Sequence, residues 1–349
     1  MTSAASPSSG LWQPAAAMAA PFLAALAMAG VLLAVAGHNP FDVYGLLAVE
    51  SFGNIKRITA TLAAATPLIL TGLAIAVAFR AGVFNVGIEG CVYVGGLTAA
   101  FVGFTATALP AAVLLPFSLA AGLVAGSLWM LIPGVLKARL GVDEVVTTLM
   151  FNFIAISLAA YLVNGPLLAP GSANSATPMV ADTARLPRLA PPSTLNAGFL
   201  IAIALLVLYG LWGRHTALGL ETRLAGLNAR FAAAAGFNVP LLVIKMMLLS
   251  GAIGGLAGAV HALGNVGRFV TGFSPGYGFT GIAVALLGRN SAVGIFLAAV
   301  FFGALATAGA TIQLFSDVPI EIVSVVQGMV MIFAVAQFGW PRLRRRFAS

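Results

Sequence analysis

Apolar runs close to membrane-spanning length recur along almost the whole chain, and they leave few folds open. They lie near residues 15–36, 58–79, 83–105, 108–131, 145–164, 197–212, 240–262, 277–288, 292–313 and 321–339. A helix needs roughly 20 apolar residues to cross about 30 Å of hydrocarbon. Most of these runs come near that length. Residues 277–288 do not, so that segment is either broken or merged with the next through Gly288-Arg289-Asn290-Ser291. Charged residues are only 7% of the chain, where a soluble domain carries about a quarter. The short alternating segments of a transmembrane barrel are absent. The expectation is an all-α, polytopic bundle of about ten spans, forming a single membrane domain over residues 1–349 with its bundle at 14–340.

Ala34-Val35-Ala36 has the look of a signal-peptide cleavage site. Against that, residues 1–13 hold no Lys or Arg, and the apolar run at 14–37 exceeds a normal signal core. A retained span is the favoured reading. Orientation follows from the basic residues. With the N-terminus in the cytoplasm, ten crossings put Arg80, Lys137, Arg139, Arg214, Arg223, Arg230, Arg289 and the tail arginines 342 and 344–346 inside. Lys56, Arg57, Arg185, Arg188 and Arg268 fall outside, beside Asp42, Glu50, Asp182 and Asp317. Lys and Arg gather in cytoplasmic loops, so both termini are expected there. The net charge of +8 is then a topology signal with some attraction to anionic membrane lipid, and it gives no argument for nucleic acid.

One polar island, residues 213–239, interrupts the apolar pattern. Leu220, Leu224, Leu227 and Phe231 recur at spacings of four, three and four, which places them on one side of a helix. Arg223 and Arg230 share another side, as do Glu221 and Asn228. Gly219 precedes this helix, Gly236 ends it and Pro240 opens the next. Two readings stand: a surface helix presented to a partner, and a simple interfacial link. A second polar stretch, residues 165–196, carries six prolines (166, 170, 178, 187, 191 and 192) and so cannot be one helix. It either caps an external mouth or connects two spans.

Chemistry-bearing motifs are few. No Gly-x-x-x-x-Gly-Lys-Ser/Thr occurs, so no phosphate-binding loop is expected in this chain. Gly272-Phe273-Ser274-Pro275-Gly276 matches a hydrolase elbow formally, but Pro275 lacks the N–H such an elbow uses. His38, His215 and His261 have no ligand spacing, and the single cysteine, Cys91, excludes an internal disulfide. Neither a catalytic nor a metal site is expected. Gly122-x-x-x-Gly126, Gly251-x-x-x-Gly255 and Gly254-x-x-x-Gly258 allow close helix approach. Polar residues at membrane depth are the rarer signal, because a carboxylate there costs about 2.5 kcal/mol or more and so faces protein or a wet cavity. Asn85 and Glu89, four apart in a glycine-rich stretch, are the candidates for a substrate path. They either touch a polar solute or tie down broken backbone. Asn152 reads first as a helix–helix hydrogen bond and second as a ligand. The aromatic residues Phe269, Phe273 and Tyr277 border the outer mouth, where a base can stack. A weak echo links Ile75-Ala76-Val77-Ala78-Phe79 to Ile282-Ala283-Val284-Ala285-Leu286, 207 residues later, as in transporters built from two halves.

Residues 72–90, residues 141–150 (Gly-Val-Asp-Glu-Val-Val-Thr-Thr-Leu-Met), residues 219–239 and residues 273–288 together resemble the ABC-importer permeases for nucleosides and simple sugars, a group related to ribose and branched-chain amino-acid permeases. The likeness runs from about 55 to 340. It implies a permease subunit in a bacterial cytoplasmic membrane, paired with a second, often unlike, permease. It further implies a separate ATP-binding subunit and an extracytoplasmic solute-binding lipoprotein, so ATP is bound by partners and no cofactor by this chain. Residues 213–239, with Leu220, Glu221, Arg223, Leu224, Leu227, Asn228, Arg230 and Phe231, become the coupling segment. One departure stands out: the family has Gln after Glu-Gly, where this chain has Cys91. The competing class, an ion-coupled secondary transporter of a small polar solute, calls for several acidic or His groups inside the spans, and Glu89 is nearly alone.

Overall fold

A computed structural model describes residues 26–315, apart from 36, 38, 172 and 173, together with 325, 327–329 and 332. The described residues form helices and loops without a strand. In order they are α1 (Leu26–Val35), α2 (Pro40–Phe52), α3 (Ile55–Arg80), α4 (Ile88–Thr105), α5 (Ala111–Trp129), α6 (Leu131–Leu140), α7 (Glu144–Asn164), α8 (Gly198–His215), α9 (Ala217–Leu227), α10 (Ala229–Ala234), α11 (Val239–Val260), α12 (Tyr277–Leu287) and α13 (Ala292–Phe315). The chain divides into two compact units, residues 48–308 and a smaller one from residues 1–47 and 309–349. Within the smaller unit, the Tyr44 hydroxyl donates to the Leu26 carbonyl at 2.6 Å.

Seven stretches among the described residues are long and apolar enough to cross a membrane. The expected spans correspond to them with four corrections. The span expected at 108–131 continues after a bend at Met130, so α5 and α6 together run from Ala111 to Leu140. Lys137 and Arg139, expected in a loop, therefore lie in the last turn of α6. The loop expected after the first span contains α2, too short and too acidic to read as a crossing. The span expected from residue 83 starts at Ile88. Finally, residues 277–288 stay separate from the next helix: Arg289 and Asn290 both adopt positive φ, and the chain turns sharply before α13. Most of the tenth run and the tail arginines lie outside the described residues, as does most of the first run.

In the larger unit α11 is the axis, packed on α3, α4 and α5. Its glycines explain the closeness. A Cβ on Gly255 would strike the carbonyl of Gly122, and one on Gly251 that of Gly126, while Gly258 lies against the Val92 carbonyl of α4. One small-residue pair of α11 thus faces α5 and the other α4. Dispersion and backbone proximity hold such seams together, since lipid offers helices no hydrophobic gain on association. α3 is 83% buried along its most apolar stretch, whereas α7 and α8 are 22% buried. α3 is interior, and the apolar faces of α7 and α8 are the ones a membrane covers. The two echoing segments belong to α3 and α12, which pack together: a Cβ on Gly281 would lie 2.6 Å from Thr71 Oγ1.

Candidate transport site and relatives of the chain

The site grows from a helix that stops inside the bundle. α3 ends at Arg80 because Gly82 takes a left-handed φ of 77°. The N–H of Gly82 then bonds to Phe79 O at 3.0 Å and that of Val83 to Ala78 O at 3.2 Å, a closure that satisfies the last free carbonyls. Five residues later α4 begins. From Asn85 to Gly87 the intervening residues are buried, and buried N–H and C=O groups need partners. Side chains from distant helices supply them. Thr148 Oγ1 on α7 accepts from the Val86 N–H at 3.2 Å, and Asn152 Nδ2 donates to Val86 O at 2.9 Å. Asn152 Oδ1 also accepts from the Gly90 N–H at 2.7 Å. Asn85 bends over its own loop, accepting from the Gly87 N–H at 2.8 Å and donating to Ser250 Oγ on α11 at 2.9 Å. The Ser250 hydroxyl in turn donates to Ala74 O on α3 at 2.7 Å.

Glu89 faces another way. Its carboxylate accepts from the Gly278 N–H at 2.6 Å, at the start of α12, and the Ser274 hydroxyl also bonds to it. Ser274 Oγ in turn accepts from the N–H groups of Gly276 and Tyr277 at 3.2 and 3.0 Å. Ser274 and Glu89 together occupy the free donors that open α12, where the helix dipole favours negative charge. Contact is close because Gly278 has no side chain: a Cβ there would fall on the backbone nitrogen of Glu89. With 11 residues, α12 is about 16 Å long, half of a crossing. A spacing of four would put Asn85 and Glu89 on one face of a helix, but Asn85 lies before the helix start, so one braces α11 and the other α12.

Beside the α12 terminus sits an aromatic cluster. The Phe269 and Phe273 rings stack at 4.3 Å, and Tyr93 meets both edge-on at 6.0 and 6.2 Å. His261 meets Phe273 and Tyr277, each at 5.0 Å. Phe269 and Phe273 are buried and Tyr277 is half-buried. In this conformation the two phenylalanine faces are spent on each other, so stacking on a solute requires them to part. His261 opens a π-helical turn, His261–Val266, that ends α11, a local widening frequent at functional sites. Asn265 bonds to His261 Nδ1 at 3.2 Å, and Asn196 donates to Asn265 at 2.8 Å. The proline-rich loop covers this cluster as a pinned segment. Thr177 and Phe269 exchange two bonds, Thr177 N–H to Phe269 O at 2.9 Å and Phe269 N–H to Thr177 Oγ1 at 3.0 Å. The sequence reading passes over Tyr93 and Thr177, which no periodicity marks, and weighs His261 only as a metal ligand and Ser274 only as part of a hydrolase elbow.

Cys91 is fully buried between helices, with Gly126 O 3.7 Å from its sulfur and a Cβ on Gly254 only 2.9 Å from its own. It points at α5 and α11, away from the carboxylate of Glu89. The polar island is also redrawn. Its helix begins at Ala217, so Gly219 lies inside the first turn. It breaks at Asn228, whose side chain accepts from the Phe231 N–H at 3.0 Å and starts α10. Leu220, Leu227 and Phe231 are exposed, as are Arg223, Asn228 and Arg230, and Glu221 is partly covered. Leu224 instead turns inward, onto Ala225, Ala232 and Leu242. Gly226 lies against the Arg80 carbonyl and Gly82, so α9 rests on the same break that carries Asn85.

A multi-pass membrane protein with a half-helix capped by a buried carboxylate is the class these features define. Residues 57–335 match the sequence model of the permease component of branched-chain amino acid transport systems. The glucose ABC transporter permease protein TsgB13 of Haloferax volcanii is 37% identical over 332 residues, covering 92% of this chain and 87% of its own. The guanosine ABC transporter permease protein NupP of Bacillus subtilis is 37% identical over 319 residues, 90% of each chain. The same Bacillus strain holds a second match, the guanosine ABC transporter permease protein NupQ, 30% identical over 275 residues, 75% of this chain and 85% of its own. The chain belongs to this family and is the permease subunit of an ABC importer.

Proposed function

We propose that this permease imports a neutral polar solute, a nucleoside or a simple sugar, across the bacterial cytoplasmic membrane, with both of its termini in the cytoplasm. The observation that carries this is the state of Glu89. Where α4 meets α12 it is the buried carboxylate, and it is engaged with Gly278 and Ser274, so it offers no free charge to an ionic solute. The aromatic cluster of Phe269, Phe273 and Tyr277 beside it suits a flat base or a sugar face, with Asn85 and Asn152 bracing the path. The names of the relatives, guanosine and glucose permeases, support the same classes. The apolar runs of the sequence support about ten spans for the whole membrane domain.

Two guanosine permeases from one Bacillus strain both match this chain, which supports a pair of unlike permease subunits. A solute-binding lipoprotein delivers the solute and a separate ATP-binding subunit supplies energy, so the purified chain alone neither binds nor hydrolyses ATP. The α9–α10 segment docks that subunit. Leu220, Leu227 and Phe231 are exposed apolar groups on a polar segment, and covering them yields about 25 cal/mol per Å². The reconstituted transporter tests the solute class: labelled guanosine or glucose should enter proteoliposomes in an ATP-dependent way. Transport of leucine with neither nucleoside nor sugar would refute it. Leu227→Asp with Phe231→Asp should abolish recovery of the ATP-binding subunit with the permease while leaving membrane insertion intact; undiminished recovery would remove the docking assignment. Leu224 is unsuited to that test because it packs inward.

A further inference from the structure

A cavity of about 920 Å³ opens between the end of α8, α9 and the turn from α12 to α13, with Leu220 and Leu227 of the proposed docking segment on its wall. Four arginines line it: Arg80, Arg214, Arg223 and Arg289. No Asp or Glu does, and none of the four forms an ion pair among the described residues. Like charges gathered around one space repel unless something negative lies between them. Arg80 is held in place from the protein side. It donates to the Gly213 carbonyl, and its guanidinium lies 5.4 Å from the Trp212 ring centroid and 6.0 Å from that of Tyr209. Its Nε is nevertheless buried without a hydrogen-bond partner, as is Oδ1 of Asn290 across the cavity. Buried polar groups ordinarily find partners, so these two orphans beside the cavity mark bonds that the chain itself leaves unmade.

We propose that this cavity binds a phosphate-bearing anion, either the headgroup of an acidic phospholipid or a free phosphate. Guanidinium forks match phosphate oxygens two at a time. The surroundings suit the lipid source. Tyr209 and Trp212 are the residue types that lie at headgroup level, basic pockets between helices hold acidic headgroups, and exposed Leu208, Leu211, Val293 and Leu297 give acyl chains an apolar track leading away from the arginines. Because Arg223 belongs to α9, the bound anion fixes the segment that rests on Gly82.

The assembled transporter, delipidated in neutral detergent, is titrated with phosphatidylglycerol, phosphatidylcholine and inorganic phosphate while retained lipid is read by native mass spectrometry. Phosphatidylglycerol should bind saturably and more weakly as salt rises, and phosphatidylcholine should not compete. Arg214→Gln combined with Arg289→Asn, which suits the positive φ, should weaken binding about tenfold per arginine. Lysine at both positions should restore most of it, which separates lost charge from lost fold. Failure of inorganic phosphate to displace the lipid assigns the site to phospholipid; full displacement assigns it to free phosphate. Equal binding of phosphatidylcholine, or undiminished binding by the Gln/Asn variant, would overturn the proposal. So would a complex in which the ATP-binding subunit covers the four arginines and no anion is retained. Binding is read apart from uptake, so its failure leaves the solute class untouched.

Discussion

The backbone break at residues 81–87 and the surface segment at 213–239 meet the same need, the satisfaction of helix ends, with opposite kinds of partner. In the surface segment the partners are local. Thr216, Asn228 and Asn238 each accept from an N–H three residues ahead, and Gly236 closes α10 with a positive φ. In the buried break the local partners of Gly82, Val83 and Gly87 are joined by remote ones. Val86 and Gly90 rely on side chains 62 to 66 residues away, Asn85 on one 165 away, and Gly278 on a carboxylate 189 away. Water finishes any open bond at the surface, but nothing does so in the bundle. The surface helices can therefore form before the fold is complete, whereas the break exists only when α4, α7, α11 and α12 have met. A transporter needs such a region: its partners can be exchanged one set for another, while a self-contained cap has only one state.

The largest expected effect comes from removing the most remote partner. Glu89→Leu leaves the Gly278 N–H without its acceptor and the start of α12 without its negative charge. Initial uptake by the reconstituted transporter should fall at least about tenfold, the equivalent of roughly 1.4 kcal/mol. Glu89→Gln still offers a carbonyl oxygen to Gly278 and should retain much of the wild-type rate. Adding an uncoupler at constant ATP sharpens the result. If Glu89 carries protons, as in an ion-coupled transporter, Gln fails as badly as Leu and uptake collapses with the gradient. Equal, wild-type rates in both variants would reduce the α4–α12 contact to packing.

Much of this contrast was visible in the residues themselves, and for a physical reason. Glu89, Asn85 and Asn152 stand out because polar groups at membrane depth are rare enough to demand a partner. The helix-ending Gly236 and the helix-opening Pro240 are local chemistry, read over a few residues. The partners are another matter. Ser250 and Thr148 are small hydroxyl residues of the kind that in helices often bond back to preceding carbonyls, and Thr177 lies in a loop, so nothing nearby marks them as braces. The π-helical turn at His261 changes no composition. The break in the surface helix at Asn228 was missed for a different reason: Asn228 was counted by its side of a continuous helix, while its stronger preference is to start one. Likewise Arg80 was legible as a topology signal but not as one wall of an arginine-lined cavity, because the other walls come from α8, α9 and the turn before α13.

A second effect should appear in stability. Asn152→Leu strips partners from both Val86 O and the Gly90 N–H, two buried backbone groups at about 1–3 kcal/mol each. A loss of about 2–4 kcal/mol is expected once partial rescue inside a membrane bundle is allowed for. Thr148→Val removes only the acceptor for Val86 and should cost about half as much. Both are measured by denaturant unfolding of the purified permease in mild detergent. If Asn152→Leu unfolds like the wild type, the break is held by the glycine seams of α11 and its remote hydrogen bonds are incidental.

The smallest effect belongs to the surface segment. Asn228→Ala removes one local acceptor from the start of α10, and the freed Phe231 N–H can turn to water, since Asn228 and Phe231 are both exposed. Replacing such a cap costs about 0.5–2 kcal/mol, and here the loss should stay within α10. Global unfolding of the permease should therefore shift little, while amide exchange at residues 229–235 quickens and recovery of the ATP-binding subunit weakens. Asn228→Asp supplies the same acceptor oxygen and should restore slow exchange. The discriminating comparison is with Thr148→Val, which also removes a single side-chain acceptor from a single N–H. If the two variants destabilise the whole protein equally, burial does not set the value of a cap in this chain, and the division between a locally encoded surface segment and a remotely braced buried core fails. If Thr148→Val lowers global stability while Asn228→Ala changes only local exchange, the division holds at the level of one hydrogen bond.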